Sequence, residues 1–241
     1  MLLLNQAFTA KTIIEPKAWS DLSKGHYIQA QTEQLLDLHC RQIFGDFLLH
    51  VGHLSTSLRF TENHLKRTLY ALPDKPKRQN HLHNPALFLS DKCHLSVAES
   101  SIDMLTLFHG LDFSNDPHLL LREAERVLRS DGYLVLTGFN PLSQVGLLRF
   151  SPFYQQHLMK QARFFSLPRV KEWLAVLGFA IRQIDYINTP KVMGKPFSFI
   201  SGAYFIVAQK QEVPLSVTRP KFAKIKPRLN TVSASWRGDI R

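Results

Sequence analysis

Hydrophobic residues repeat with different periods along the chain, and the clearest succession of periods runs from Ser101 to Ser143. Ile102 to Leu107 is a short apolar run bounded by polar residues, which predicts a strand buried on both faces, and Tyr133 to Phe139 reads the same way. Between them Leu120, Ala124, Val127 and Leu128 recur at helical spacing and form one apolar face. Asp116 can cap the first turn of this helix, and Pro117 suits the first helical position, where a backbone N–H has no partner to lose. Gly132 is expected to stop it, Asp131-Gly132 supplying a left-handed turn, with Arg126 and Arg129 placed to complement the C-terminal end of the dipole. Strand, helix and strand in that order predict one β-α-β unit of a parallel sheet.

The rest of the chain extends this pattern. Residues 1–18 show no clear element and Trp19 to Gly25 reads as a loop. Tyr27 to Phe44 carries apolar residues at helical spacing and is expected to be a helix closed by Gly45, lying over the sheet edge. Phe47 to Val51 is expected to be the first strand, Gly52 to Thr56 its loop, Thr68 to Leu72 the second strand and Ala86 to Leu89 a short third. The stretch from Pro73 to Pro85 is rich in Pro, Lys, Asn and His and predicts an exposed loop. Leu142 to Gln161 is an excursion of aromatic and basic residues. Ser166 then caps a helix through Leu177 that Gly178 ends, and Phe179 to Tyr186 and Ser198 to Gln209 follow as strands.

Composition narrows the class. At 241 residues and 44% hydrophobic, the chain can bury one good-sized core, which predicts a domain over 1–209 with a leading helical segment at 19–45. Its formal net charge of +11 is unevenly placed, with eight Lys or Arg against Glu212 and Asp239 in residues 210–241. Pro214, Pro220 and Pro227 interrupt that segment, and it lacks the apolar surface to offset its ordering entropy, so it reads as a basic, disordered tail. Such a tail is either a solubilising terminus or a contact for nucleic acid. Two cysteines without close spacing, Cys40 and Cys93, exclude a disulfide framework. No apolar run is long enough to span a membrane, and a cytoplasmic protein is expected. His50 and His53, or His81 and His83, lack the spacing and accompanying carboxylate of a metal site, so no metal is expected.

The segments Leu121-Arg122-Glu123, Arg126-Val127-Leu128 and Ser130-Asp131-Gly132 resemble the L-R-E-x-x-R-V-L helix and following turn of class I S-adenosylmethionine-dependent methyltransferases of the type 11 group. Leu89 to Asp103 resembles the stretch in which that family places an acid near the adenine and an Asp at the opening of strand 4. From Trp19 through Pro214 the chain also resembles YafS-like bacterial proteins, on phrases such as Phe44-Gly45, Val51-Gly52-His53-Leu54-Ser55 and Gly138-Phe139-Asn140-Pro141. The resemblance implies an α/β fold: a Rossmann-like methyltransferase sheet, mostly parallel with an antiparallel edge strand, and helices on both faces. It also implies S-adenosylmethionine as cofactor and a methyl acceptor that the sequence does not name.

The family's first loop is an acid, one residue, then G-x-G-x-G, which lets backbone approach the methionine moiety. Aligned on that loop, His50 stands in place of the acid, Gly52 is kept, His53 follows, and Leu54 and Thr56 replace the other glycines. The second strand ends without the acid that meets the ribose, Asp74 falling two positions late. Asp91 stands where the family's adenine-contacting acid stands, with Lys92 and Cys93 after it. Phe108 and His109 fall where the family turns groups toward cofactor and substrate, and His109 is the candidate acid or base, because imidazole exchanges a proton near neutral pH. The departures in the first loop leave a second function open, that of a catalytically inactive relative serving as a binding or regulatory module.

Overall fold

The structure, a computed structural model, describes residues 13–60, 64–74, 86–143, 146, 157–187 and 202–211. The basic tail from residue 212 onward lies outside the described residues, as do 198–201 of the last expected strand. Seven strands form the centre: β1 Phe44–Val51, β2 His64–Leu72, β3 Ala86–Leu89, β4 Ile102–Phe108, β5 Leu128–Phe139, β6 Phe179–Ile187 and β7 Ala203–Lys210. They lie in the order β3-β2-β1-β4-β5-β7-β6. β1, β2, β3, β4 and β5 pair in parallel, whereas β7 is antiparallel to both β5 and β6. The antiparallel strand therefore lies toward the β6 edge, one place in from it.

Among the described residues four α-helices accompany the sheet: α1 Gly25–Cys40, α2 Pro117–Val127, α3 His157–Gln161 and α4 Leu167–Val176. Side-chain alternation divides the core into two layers. Leu48, Met104, Val135 and Phe205 face α1 and α3, with Ile28, Thr32, Leu36 and Cys40 of α1 each about one turn apart on its buried stripe. Their neighbours Leu49, Leu105, Leu134 and Ile206 face α2 and α4. Burial pushes the Cys40 thiol up to about 12, so it behaves as a packed apolar group.

The β-α-β unit forms with the expected N-terminus: the Asp116 carboxylate accepts from the Leu119 N–H at 2.9 Å and Pro117 opens α2. Glu123 and Arg126 then anchor the β3–β4 loop onto α2. Glu123 accepts from the Leu95 N–H at 2.8 Å, and Arg126 donates to the Leu95 and Val97 carbonyls at 3.1 and 3.0 Å.

Two boundaries differ from expectation. α2 stops at Val127 rather than at Gly132, because Leu128 is already extended and pairs with Ile102; Asp131, at φ +63°, supplies the left-handed residue inside an irregular part of β5. α1 stops at Cys40 rather than running to Phe44. Phe44 and Gly45 belong to β1, where Phe44 stacks on His64 of β2 at 4.7 Å. Among the described residues no helix is long and apolar enough to cross a membrane.

Candidate functional site

Strand order reverses between β1 and β4, so the crevice outside their carboxyl ends is where an open α/β sheet takes a ligand. β1 ends at Val51 and the chain turns through Gly52, whose φ of +90° favours glycine. A side-chain carbon placed on Gly52 would meet nothing within 4 Å, so bare backbone faces open space at this strand end. The chain then makes only a 3-10 turn, His53–Ser57, before β2, where a longer crossover would carry an α-helix. Two hydroxyls tie the turn down: Ser55 Oγ donates to the Val51 carbonyl at 3.1 Å and Thr56 Oγ1 to that of His53 at 2.7 Å.

At the end of β4, His109 adopts φ +53°, rare for a residue with a side chain. Its N–H donates to the Thr137 carbonyl and hydroxyl at 3.1 and 3.0 Å, and its ring stacks on Phe139 at 4.0 Å, which explains how the conformation is held. Nδ1 lies 2.9 Å from Asp112 Oδ2, and the same oxygen accepts the Phe139 N–H at 2.9 Å. An ionised carboxylate accepts only, so Nδ1 is the donor in this contact. Nε2 is buried and has no hydrogen-bond partner among the described residues. The pair is fully enclosed, with both side chains at 0% exposure.

The extended segment Ile13 to Ala18 lies across these strand ends. The Ile13 N–H donates to Asn115 Oδ1 at 3.3 Å, Glu15 pairs with Lys92, Lys17 pairs with Asp74, and the Trp19 indole N–H donates to the Leu54 carbonyl at 2.9 Å. Asp74 also meets His53 Nε2 at 2.5 Å. Its carboxyl is held below the usual range, first by the Lys17 hydrogen bond and then by the neighbouring charges. Lys92 is nearly buried, at 9% exposure, and donates to the Phe113 carbonyl at 3.0 Å. Under this strap is a cleft of about 270 Å³, its open mouth included, lined by Glu15, Gly52, His53, Lys92, Phe108 and His109 among others.

Gly52, His53, Phe108 and His109 are thus brought together as the sequence suggested. The other three expected residues lie away from the lining. His50 faces the sheet layer, with Nδ1 2.6 Å from Thr106 Oγ1 and its ring 5.0 Å from that of Tyr70, and burial lowers its pKa to about 3. Asp91 Oδ1 accepts the Cys93 N–H at 3.1 Å within an exposed turn, and Cys93 Sγ lies 3.9 Å from Ser114 Oγ. Sequence reasoning missed Asp112, Lys92 and Glu15. Asp112 was findable, three residues after His109; Glu15, in a stretch without pattern, was not. Among the described residues no group of three His, Cys, Asp or Glu is placed to hold a metal ion.

Comparison with known proteins shows what this architecture resembles. Residues 49–136 match the family model described as a methyltransferase domain. The fold is shared with solved SAM-dependent methyltransferases. The chain is 29% identical to the uncharacterized protein YafS of Escherichia coli K12, over 97% of each chain. A SAM-dependent methyltransferase from Archaeoglobus fulgidus is 15% identical with a TM-score of 0.57, covering 76% of this chain and 94% of its own. The 1,6-didemethyltoxoflavin-N1-methyltransferase of Burkholderia thailandensis, solved with 1,6-didemethyltoxoflavin and S-adenosylhomocysteine, is 16% identical with a TM-score of 0.55, covering 77% and 79%. At those identities the likeness is one of fold.

Two observations fit a methyltransferase ligand at this crevice: the open backbone at Gly52 and the orphaned Nε2 of His109. With Glu15 and Lys92 joined across the cleft, the space is about 270 Å³.

Proposed function

We propose that this protein is an S-adenosylmethionine-dependent methyltransferase whose acceptor is unassigned, with His109 as its base. The observation that carries this reading is the His109–Asp112 pair at the end of β4, where His109 lines the cleft and its buried Nε2 has no hydrogen-bond partner among the described residues. Bound S-adenosylmethionine supplies an electrophilic methyl group. The chain's own part is to offer backbone at Gly52 and apolar walls at Phe108 and Phe113, to exclude water beneath the strap, and to hold a proton acceptor at Nε2. His53 borders the same space. Asp91, for which the resemblance implies an adenine-side role, and Cys93 flank Lys92 and lie outside the cleft lining.

Calorimetric titration of the full chain with S-adenosylhomocysteine tests the cofactor. Saturable binding is expected; no heat up to millimolar ligand would sink this reading. The base is tested by nitrogen-edited NMR of the His109 ring. The Nδ1-protonated tautomer is expected at neutral pH in the wild-type chain, and loss of that preference in Asp112→Asn, because an amide can donate as well as accept. An Nε2-protonated ring in the wild type would remove His109 from the role.

A second reading, that of a methyltransferase-like binding module, is favoured by the strap itself, since a cleft closed by the chain's own ion pair is also what a retired site would show. In that case the basic tail is its contact for nucleic acid, a proposal that rests on composition.

A further inference from the structure

We propose that the Lys92 ammonium, anchored by the Phe113 carbonyl, forms a seat for the carboxylate of a small organic acid, and that Glu15 fills this seat from within the chain. An ammonium as enclosed as that of Lys92 needs a counter-ion, because burial of an unpaired charge is strongly unfavourable. The counter-ion comes from the strap rather than from the sheet or its helices. Lys92 itself is fixed to the scaffold, through the Phe113 carbonyl at 3.0 Å. Glu15 is carried on a segment with no helix or strand, whose neighbouring attachments are side-chain bonds: Ile13 N–H to Asn115 at 3.3 Å, Ile14 N–H to Gln161 at 3.4 Å, and the exposed Lys17–Asp74 pair. Cation and cleft thus belong to the rigid part of the molecule and the anion to the part most easily displaced.

A second, independent observation points to the same occupant. His109 lines the same cleft, and its buried Nε2 has no hydrogen-bond partner among the described residues. Glu15 satisfies one of the cleft's two polar requirements. A ligand bearing both a carboxylate and an N–H or O–H donor would satisfy both, the carboxylate on Lys92 and the donor on Nε2. Amino acids and hydroxy acids have this chemistry. Two sources could supply it, the amino-acid end of S-adenosylmethionine or the methyl acceptor; in this respect the inference deepens the proposed function, whereas the seat itself can be tested without any cofactor.

The full chain and its Glu15→Ala and Glu15→Ala/Lys92→Met variants are melted in rising sodium acetate, with sodium chloride holding ionic strength constant. Acetate is expected to raise the Tm of Glu15→Ala while leaving the wild type and the double variant unchanged, since it stabilises only the form that binds it. Glu15→Gln, which keeps the bulk of the strap, repeats the titration should the alanine variant not fold. Equal responses in the single and double variants, or none in a folded single variant, would overturn the seat. Calorimetry with S-adenosylhomocysteine and methylthioadenosine, which lacks the amino-acid end, then assigns the source. If the seat takes the cofactor's carboxylate, Glu15→Gln binds S-adenosylhomocysteine roughly tenfold tighter than wild type, with methylthioadenosine much less affected. If the two ligands respond alike while acetate still stabilises, the seat is the acceptor's. Acetate stabilisation with neither nucleoside binding would overturn the methyltransferase reading and leave the seat standing.

Discussion

The crossover from β4 to β5 and that from β1 to β2 both join neighbouring positions of one sheet, yet they are built differently. The first contains α2, capped by Asp116, buried along Leu120, Leu121, Ala124 and Val127, and tied by Glu123 and Arg126 to the preceding loop. The second contains a short 3-10 turn, and β2 and β3 beyond it are half-exposed along much of their length. Where a helix covers the sheet, side chains are committed to packing. Where it is missing, ionisable groups do the covering: Lys17, His53 and Asp74 close the end of β1 and β2, and Glu15 with Lys92 closes the cleft beside them. One half of the sheet supplies rigidity and the other supplies displaceable chemistry.

The largest effect that could break this comparison comes from paired truncations. Leu105→Ala, in the fully buried β4 under α2, should cost about 2–5 kcal/mol in urea denaturation, from lost transfer energy and the cavity left behind. Phe88→Ala on the edge strand β3, where the ring is only partly buried, should cost less than half as much although more atoms are removed. Equal losses would mean that the helix-poor half is as tightly packed as the other.

A smaller effect comes from His50, which stands on β1 at the seam. Burial holds its folded pKa at about 3, against about 6.5 unfolded. The unfolded chain therefore binds the extra proton between those values. The stability linked to neutral His50 is complete above pH 6.5 and falls by about 1.4 kcal/mol per pH unit below it. Between pH 6.5 and 5 the wild type should lose about 2 kcal/mol that His50→Gln does not lose, measured as urea midpoints at both pH values. Parallel losses in the two proteins would show that His50 is already protonated or that another group dominates the window.

The same division explains which features were legible in the sequence. Around α2 every local signal agreed with the final packing: the Asp116 cap, Pro117, the apolar stripe and two doubly buried strands all point to one answer. The start of β1 was misread because Phe44 is 70% exposed and stacks across to His64, so neither alternation nor a continuous apolar run marks it. In the candidate site, Gly52, His53, Phe108 and His109 followed from strand ends and family resemblance. His50 aligned with an acid but sits on the sheet face, where its neighbours are Thr106 and Tyr70. Glu15 could not be found by local reasoning, since its partner Lys92 is brought near only by the fold.

The smallest effect tests the join between the halves at the opposite end of the sheet. Asp103, at the start of β4, accepts the N–H groups of Asp46 and Phe47 of β1 at 2.8 and 2.9 Å and pairs with Arg129 of β5 at 2.5 Å. Gly45 leaves the space that its side chain fills. Burial pushes its carboxyl upward, but the Phe47 N–H, Arg129 and the Asp46 N–H outweigh it and hold the pKa below the ordinary value. Asp103→Asn keeps one acceptor and faces the Arg129 guanidinium with a neutral amide, so about 1 kcal/mol should be lost at pH 7, after allowance for the exposure of Arg129. A lowered folded pKa contributes stability above the unfolded value near 3.9 and loses it as pH falls through the folded one. The cost of Asp103→Asn should accordingly vanish in strong acid, below the range in which His50 titrates. Hydrogen exchange at the Asp46 and Phe47 amides should accelerate at pH 7 while the amides of α2 stay protected, because the bonds lost are on the β1 side of the seam. Faster exchange spreading equally into α2 would mean that the two halves open as one unit, and that the contrast between them is one of surface chemistry alone.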